Sequence, residues 1–192
     1  MKLLEDRIVK DGVVIGNNIL KVDSFLNHQL DINLFNEMGK EFKNLFINSS
    51  VTKILTIETS GIAIAALAAL HFQVPVLFAK KHAGLNMDED VYQTKVFSYT
   101  KNLEYDIKVS KRLINSEDCV LIIDDFLASG AAMSGLINIV GQSRAKVAGV
   151  GIAIEKSFEP GRKVIEDMGI RVEALAIVDS MQDGSVVFKK FK

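Results

Sequence analysis

Residues 120–132, Val-Leu-Ile-Ile-Asp-Asp-Phe-Leu-Ala-Ser-Gly-Ala-Ala, leave few folds open to this chain. Val120 to Ile123 form an apolar, β-branched run of the kind that suits a strand covered on both faces. Asp124 and Asp125 follow at once, where such a strand should reach the sheet edge. A run of small residues comes next, Ala128-Ser129-Gly130-Ala131-Ala132, and then the apolar spacing turns helical at Met133, Leu136, Ile137 and Val140. The order is strand, acidic pair, small-residue loop, helix. In open α/β sheets, ligands bind at the carboxyl ends of strands. Free backbone N–H groups in a loop that leads into a helix can hold an anion, commonly a phosphate. Two carboxylates beside it suit sugar hydroxyls or a metal. Together these residues describe a candidate site for a phosphorylated sugar.

The rest of the chain repeats this alternation. Residues 2–10 predict a short helix with Leu3, Leu4 and Ile8 on one side, and glycines at 12 and 16 bracket the apolar piece Val13 to Ile15. Asp31 is placed to cap a helix reaching about Phe46, with Leu34, Met38, Phe42, Leu45 and Phe46 as its apolar stripe. Ile54 to Ile57 reads as a buried strand, Glu58-Thr59-Ser60-Gly61 as its loop, and Ile62 to about Phe72 as a compact helix. A strand is expected at Val76 to Ala79, then a polar loop over 80–94 and a hairpin from strands near 95–100 and 104–109. Beyond the 120–132 unit come a strand from Val147 to Ile154, a short helix from Pro160 to Met168 stopped by Gly169, and a strand from Val172 to Val178. The fold class is therefore α/β, a mostly parallel sheet flanked by helices.

At 192 residues and 48% hydrophobic, one globular domain with a real core is expected. The formal charge of −1 offers no bulk attraction to nucleic acid or to an anionic membrane, so any phosphate must be held by local groups. Cys119 is the single cysteine, which rules out an intrachain disulfide and agrees with a reducing cytoplasm. No secretory signal is visible, and the most apolar helix candidate, 62–72, is too short to span a bilayer. His28, His71 and His82 have no metal-ligand spacing, and Gly149-Val150-Gly151 lacks the third glycine of a dinucleotide fingerprint.

The 120–132 stretch resembles the phosphoribosyl-pyrophosphate (PRPP) signature of the type I phosphoribosyltransferases. The opening Met-Lys-Leu-Leu-Glu-Asp-Arg-Ile, residues 19–29 (Ile-Leu-Lys-Val-Asp-Ser-Phe-Leu-Asn-His-Gln) and residues 154–158 (Ile-Glu-Lys-Ser-Phe) look like the bacterial, xanthine-using branch of that family. The resemblance implies a single phosphoribosyltransferase domain over 1–192. It would have a core of about 36–180, a small N-terminal hood, mainly 1–35, and a flexible lid loop. It implies transfer of a phosphoribosyl group from PRPP to a purine, with pyrophosphate leaving, in a cytoplasmic homodimer. Mg²⁺ is expected bound to the substrate, with no dedicated protein metal site.

By that resemblance Ala128, Ser129, Gly130, Ala131 and Ala132 hold the 5′-phosphate, and Asp124 and Asp125 hold the ribose hydroxyls. Many relatives carry Thr late in this loop; Ala131 and Ala132 shift the work onto backbone N–H groups, with Ser129 as the one hydroxyl. Glu58, Thr59, Ser60 and Gly61 match the pyrophosphate loop, and Lys81, with Lys80 beside it, is placed to meet pyrophosphate. Ser98-Tyr99-Thr100 resembles the lid hairpin. Leu20 would pack on the base and Asn27 would bond its edge. Lys156 would point at the base, and Phe158 could stack on it or belong to the core. An ammonium donates and cannot accept, so it favours the carbonyl of xanthine, guanine or hypoxanthine over the amino group of adenine.

Two alternatives stay open on the sequence. One is another base, guanine or hypoxanthine, or adenine. The other is a PRPP-sensing transcription regulator without catalysis. A regulator of this kind needs a DNA-reading element ahead of the sheet, where this chain matches the hood instead.

Overall fold

The computed structural model describes residues 1–81, 90–98, 103–182 and 184–189. A six-stranded sheet forms the centre, in the order β10-β9-β8-β7-β3-β4. Its strands are β3 (Lys53–Ile57), β4 (Val76–Ala79), β7 (Cys119–Leu127), β8 (Lys146–Lys156), β9 (Val172–Gln182) and β10 (Ser185–Phe188). All neighbours run parallel except β10, which returns antiparallel along β9. Two small antiparallel hairpins stand outside it: β1 (Val13–Ile15) with β2 (Ile19–Lys21), and β5 (Val91–Ser98) with β6 (Leu103–Ser110).

Helices cover both faces, as the alternating pattern predicts. On one side α1 (Lys2–Asp11), α2 (Ile32–Leu45) and α3 (Gly61–Phe72) pack with Ile54, Leu121, Ile123 and Ala153. On the other, α4 (Ala131–Gln142) packs with Leu55, Val120, Ile122, Val150 and Ile152. Successive residues of β7 thus enter opposite cores, which is why Val120–Ile123 is an unbroken apolar run. The Asp31 carboxylate caps α2, accepting from Leu34 N–H at 3.1 Å. Phe35 joins the expected stripe and is fully buried with Phe42 and Phe46. Gly149 and Gly151 make room for that stripe. A Cβ at Gly149 would lie 2.5 Å from the Phe46 ring, and one at Gly151 would lie 3.0 Å from Phe42. This glycine pair serves packing of α2 on β8. His71 is structural as well, its Nε2 lying 3.0 Å from Asn36 Oδ1 between α3 and α2.

Several boundaries differ from the sequence reading, each through pairing. β7 continues through Asp124 and Asp125 to Leu127, because β8 stays paired with it as far as Glu155. On its other side β3 stops matching it at Ile122. The acids therefore stand in a strand that has lost one neighbour, at a gap between β3 and β7. Lys156 is the last residue of β8 and pairs with Val178, where the sequence placed it after the strand. α4 begins at Ala131, so Ala131 and Ala132 are its first turn and the loop proper is Ala128–Gly130. β5 begins at Val91, inside the stretch expected to be loop, because Val91–Thr94 pair with Ile107–Ser110. The expected lid centre, 82–89, and Tyr99 and Thr100 lie outside the described residues. β9 runs four residues beyond Val178 to Gln182, and β10 returns along it. The last helix is shorter than expected, α5 (Gly161–Glu166), with Pro160 at its N-cap.

Candidate active site

β3 leads to β4 on one side while β7 lies on the other, so the strand order reverses between β3 and β7. That crevice, at the carboxyl ends, is where doubly wound sheets bind ligands. The loop after β3 and the acids of β7 meet there around a cavity of about 140 Å³. Its lining includes Glu58, Thr59, Ser60, Lys81, Tyr105, Asp124, Asp125 and Ala132.

Close packing assembles these groups. The Glu58–Thr59 peptide is cis. Glu58 Oε1 accepts from Lys81 N–H at 2.5 Å, tying the β3 loop to the chain after β4. Gly61 opens α3 where no side chain fits. A Cβ there would collide with Thr56 Oγ1 and lie 2.5 Å from Asp124 Oδ1. Thr56 is fully buried, and its hydroxyl has no hydrogen-bond partner among the described residues. Asp125 Oδ1 accepts from Phe126 N–H at 3.0 Å, and Ser60 lines the same cavity.

Burial is the first cause of the raised pKa at both acids. For Asp124 the charge of Asp125 pushes it further up, while the Lys81 ammonium opposes the rise. Two adjacent carboxylates in a water-poor crevice are poised to accept hydroxyl hydrogen bonds or to be neutralised by positive charge.

A second cavity, about 570 Å³, adjoins the first across Ala132 and Tyr105. Ala128, Ser129 and Ala131 form one wall, and Val96, Phe97, Phe158, Glu159, Lys156 and Asn18 the others. Gly130 caps α4 with φ +86°, a left-handed conformation that suits glycine. Ser129 Oγ lies 3.4 Å from Ala131 N, so the hydroxyl faces the same N–H groups as an incoming anion would. Lys156 Nζ donates to the Asn18 carbonyl at 2.6 Å and lies 3.8 Å from Glu159 Oε1.

The structure thus brings together Glu58, Thr59, Ser60, Gly61, Lys81, Asp124, Asp125, the 128–132 segment and Lys156. Lys80 stands one step behind, bridged to Lys108 of the hairpin by two backbone hydrogen bonds of 3.0 Å. Leu20 and Asn27 are placed differently. Leu20 is 6% exposed in the core beneath β2, and Asn27 is exposed at the end of a π-helical turn; neither lines these cavities. Tyr105 was missed by sequence reasoning. It lies on β6, lines both cavities and has Lys81 Nζ 5.4 Å from its ring centre. Burial, then the Asp124 charge, raises its hydroxyl pKa. The hairpin reaches it by packing on α4 at Gly135, where a Cβ would lie 2.6 Å from Val96. Nothing in a Leu-Glu-Tyr-Asp run signals that approach.

Among the described residues no group of three or more His, Cys, Asp or Glu is placed to hold a metal ion by itself. The oxygen-rich donor set of the smaller cavity nonetheless suits a hard cation carried in on the oxygens of a ligand.

A mostly parallel sheet with a small-residue loop and paired carboxylates at its switch point has the layout of an α/β enzyme that binds its ligand at the strand ends. The phosphoribosyl transferase domain matches residues 21–179, and the chain belongs to that family. It is 61% identical over 189 residues to a xanthine phosphoribosyltransferase of Clostridium novyi, covering 98% of this chain and 100% of that protein. It is 62% identical over 190 residues to a xanthine phosphoribosyltransferase of Clostridium tetani, with the same coverage. Among solved structures it is similar to the Giardia lamblia adenine phosphoribosyltransferase complexed with 9-deazaadenine. That match has a TM-score of 0.76 and 19% identity, covering 91% of this chain and 96% of that one. The Rhodothermus marinus adenine phosphoribosyltransferase matches at TM-score 0.73 and 19% identity, covering 93% and 100%. At that identity the structures establish the type I phosphoribosyltransferase fold and nothing finer.

Proposed function

We propose that this chain is a purine-salvage glycosyltransferase that converts xanthine and PRPP to xanthosine 5′-monophosphate (XMP) and pyrophosphate. The observation that carries the reading is the joining of two cavities. One holds the paired acids and the β3 loop, and the other runs from the small-residue loop to Lys156. High identity along nearly the whole chain to proteins named for xanthine supports the choice of base.

In this reading the 5′-phosphate lies on Ala128–Ala132, held by backbone N–H groups and the Ser129 hydroxyl. Asp124 and Asp125 accept from the ribose hydroxyls and face the positive charge that develops on the ring as the C1 bond breaks. The Glu58–Gly61 loop and Lys81 take the pyrophosphate. Mg²⁺, when bound on pyrophosphate and ribose oxygens, would neutralise leaving-group charge. Lys156 donates to a carbonyl of the base, and Phe158, at the cavity wall, lies where a ring could pack. Leu20 and Asn27 are assigned to the base on the resemblance; they belong to the hood, mainly residues 1–35, whose Asn18 already lines the larger cavity, and about 36–180 form the core of one domain. A cytoplasmic location, consistent with a single cysteine, and a homodimer, expected from the family resemblance, complete the reading.

Adenine fits Lys156 poorly, because its amino group would face another donor. Guanine and hypoxanthine offer the same carbonyl and are the nearer competitors. Purified protein given PRPP, Mg²⁺ and xanthine should release pyrophosphate in step with XMP. PRPP binding with all four bases inert would instead favour a PRPP sensor.

A further inference from the structure

The Ala128–Gly130 loop is braced by a side-chain pair that plays no part in the reading above. Glu155 is 1% exposed. Its carboxylate accepts from Arg162 Nε at 2.8 Å and from Nη2 at 2.5 Å. Arg162 Nη1 donates further to the Val172 carbonyl at 2.9 Å and to Glu166 Oε1 at 3.0 Å. A forked pair of this kind fixes orientation as well as distance.

Both partners are tied to the loop. Glu155 pairs across the sheet with Leu127, the residue that precedes the loop. Arg162 follows Gly161, whose N–H donates to the Ala128 carbonyl at 2.9 Å. A Cβ on Gly161 would collide with that carbonyl and lie 3.0 Å from Gly130 N; one on Gly130 would lie 3.0 Å from Gly161 Cα. The start of α5 and the loop are therefore in backbone contact. A closed circuit results: Leu127 to Glu155 through the sheet, Glu155 to Arg162 through the ion pair, Gly161 to Ala128 through a hydrogen bond.

Stability alone does not call for such a pair, since buried ion pairs seldom outdo apolar packing of equal volume. Orientation does. The loop has only small side chains, so it cannot set its own direction by packing. A misplacement of about 1 Å in a binding loop costs function heavily.

We infer that Glu155 and Arg162 are positioning residues for the small-residue loop, aiming its N–H groups without touching the ligand. This rests on the assignment of the loop to the 5′-phosphate. The test uses ribose 5-phosphate as a probe of the loop and the KM for xanthine as an internal control. Glu155→Gln keeps the shape and breaks the charged fork. PRPP KM and ribose 5-phosphate Kd should rise roughly tenfold or more, while xanthine KM and kcat at saturating PRPP stay within about threefold. Arg162→Lys keeps the charge but loses the fork, and should show the same split at smaller size. A lowered unfolding midpoint with PRPP KM within about twofold of wild type, or equal rises for both substrates, would overturn the inference. If Glu155→Gln does not fold, the split in Arg162→Lys decides. Failure of wild-type protein to bind ribose 5-phosphate would remove the loop assignment, and this inference with it.

Discussion

Lys156 Nζ and the Asn18 carbonyl, 138 residues apart in the chain, are joined by a 2.6 Å hydrogen bond that ties the end of β8 to the turn between β1 and β2. An ammonium has three N–H groups, so this tie leaves capacity for a carbonyl of the base. Lys156→Met should therefore act on two observables. Xanthine kcat/KM should fall about 10- to 100-fold, the size of a lost hydrogen bond to a charged group, with PRPP KM within about twofold. Amide exchange at 16–20 should quicken in the same variant. Equal losses for both substrates would contradict a role at the base.

Asp124 sets stability against function. Its pKa is raised well above 3.8, first by burial and then by Asp125. Between the unfolded value and the raised one, the folded protein holds a proton that the unfolded chain has released. Stability of the ligand-free protein must then fall as pH rises through that window. Asp124→Asn removes the buried charge. It should stabilise the ligand-free protein progressively as pH rises through that window, raising the melting temperature more at pH 8 than at pH 4. The same variant should lose about 100-fold or more in kcat. Thermal melts at the two pH values check the sign.

Gly61 tests how tightly Asp124 is seated. Gly61→Ala puts a methyl against Thr56 Oγ1 and 2.5 Å from Asp124 Oδ1. Overpacking of this kind costs about 1–3 kcal/mol, and here it should also displace the carboxylate and lower kcat. Thr56→Ala/Gly61→Ala, which removes the clashing and unpartnered hydroxyl, should recover part of the stability. If Gly61→Ala keeps full activity, Asp124 is not held as described.

Much of this architecture was legible because burial leaves a periodic trace. The run Val120–Ile123 reports two covered faces, and the stripe of Leu34, Met38 and Phe42 reports one. Pairing leaves no such trace. Asp124 and Asp125 end the apolar run, yet β8 carries the strand on to Leu127. Ala131 and Ala132 read as loop because small residues mark loops, although alanine is also the best helix former. The β9–β10 hairpin had a signal, Asp183-Gly184, a favoured turn pair, with Gly184 at φ +76°. Tyr105 had none, because its place depends on how a hairpin settles on α4. Leu20 and Asn27 carry no signal of their own in the sequence; their assignment to the base rests on the resemblance, and neither lines the cavities in this structure.

Tyr105 stands between the cavities and under Lys81, so its ring rather than its hydroxyl should matter. Tyr105→Phe should stay within about threefold of wild type in kcat/KM, while Tyr105→Ala should lose roughly 10-fold through PRPP KM, as packing and the cation–π contact go. Steady-state kinetics on the pair checks this, and a large loss in Tyr105→Phe would point to the hydroxyl instead.

The central claim is the identity of the base. Purified protein with PRPP and Mg²⁺ should be given equal xanthine, guanine, hypoxanthine and adenine in one vessel, and the nucleotide products separated by chromatography. XMP should be the main early product, with adenosine monophosphate negligible. Adenosine monophosphate forming faster than XMP would contradict the account.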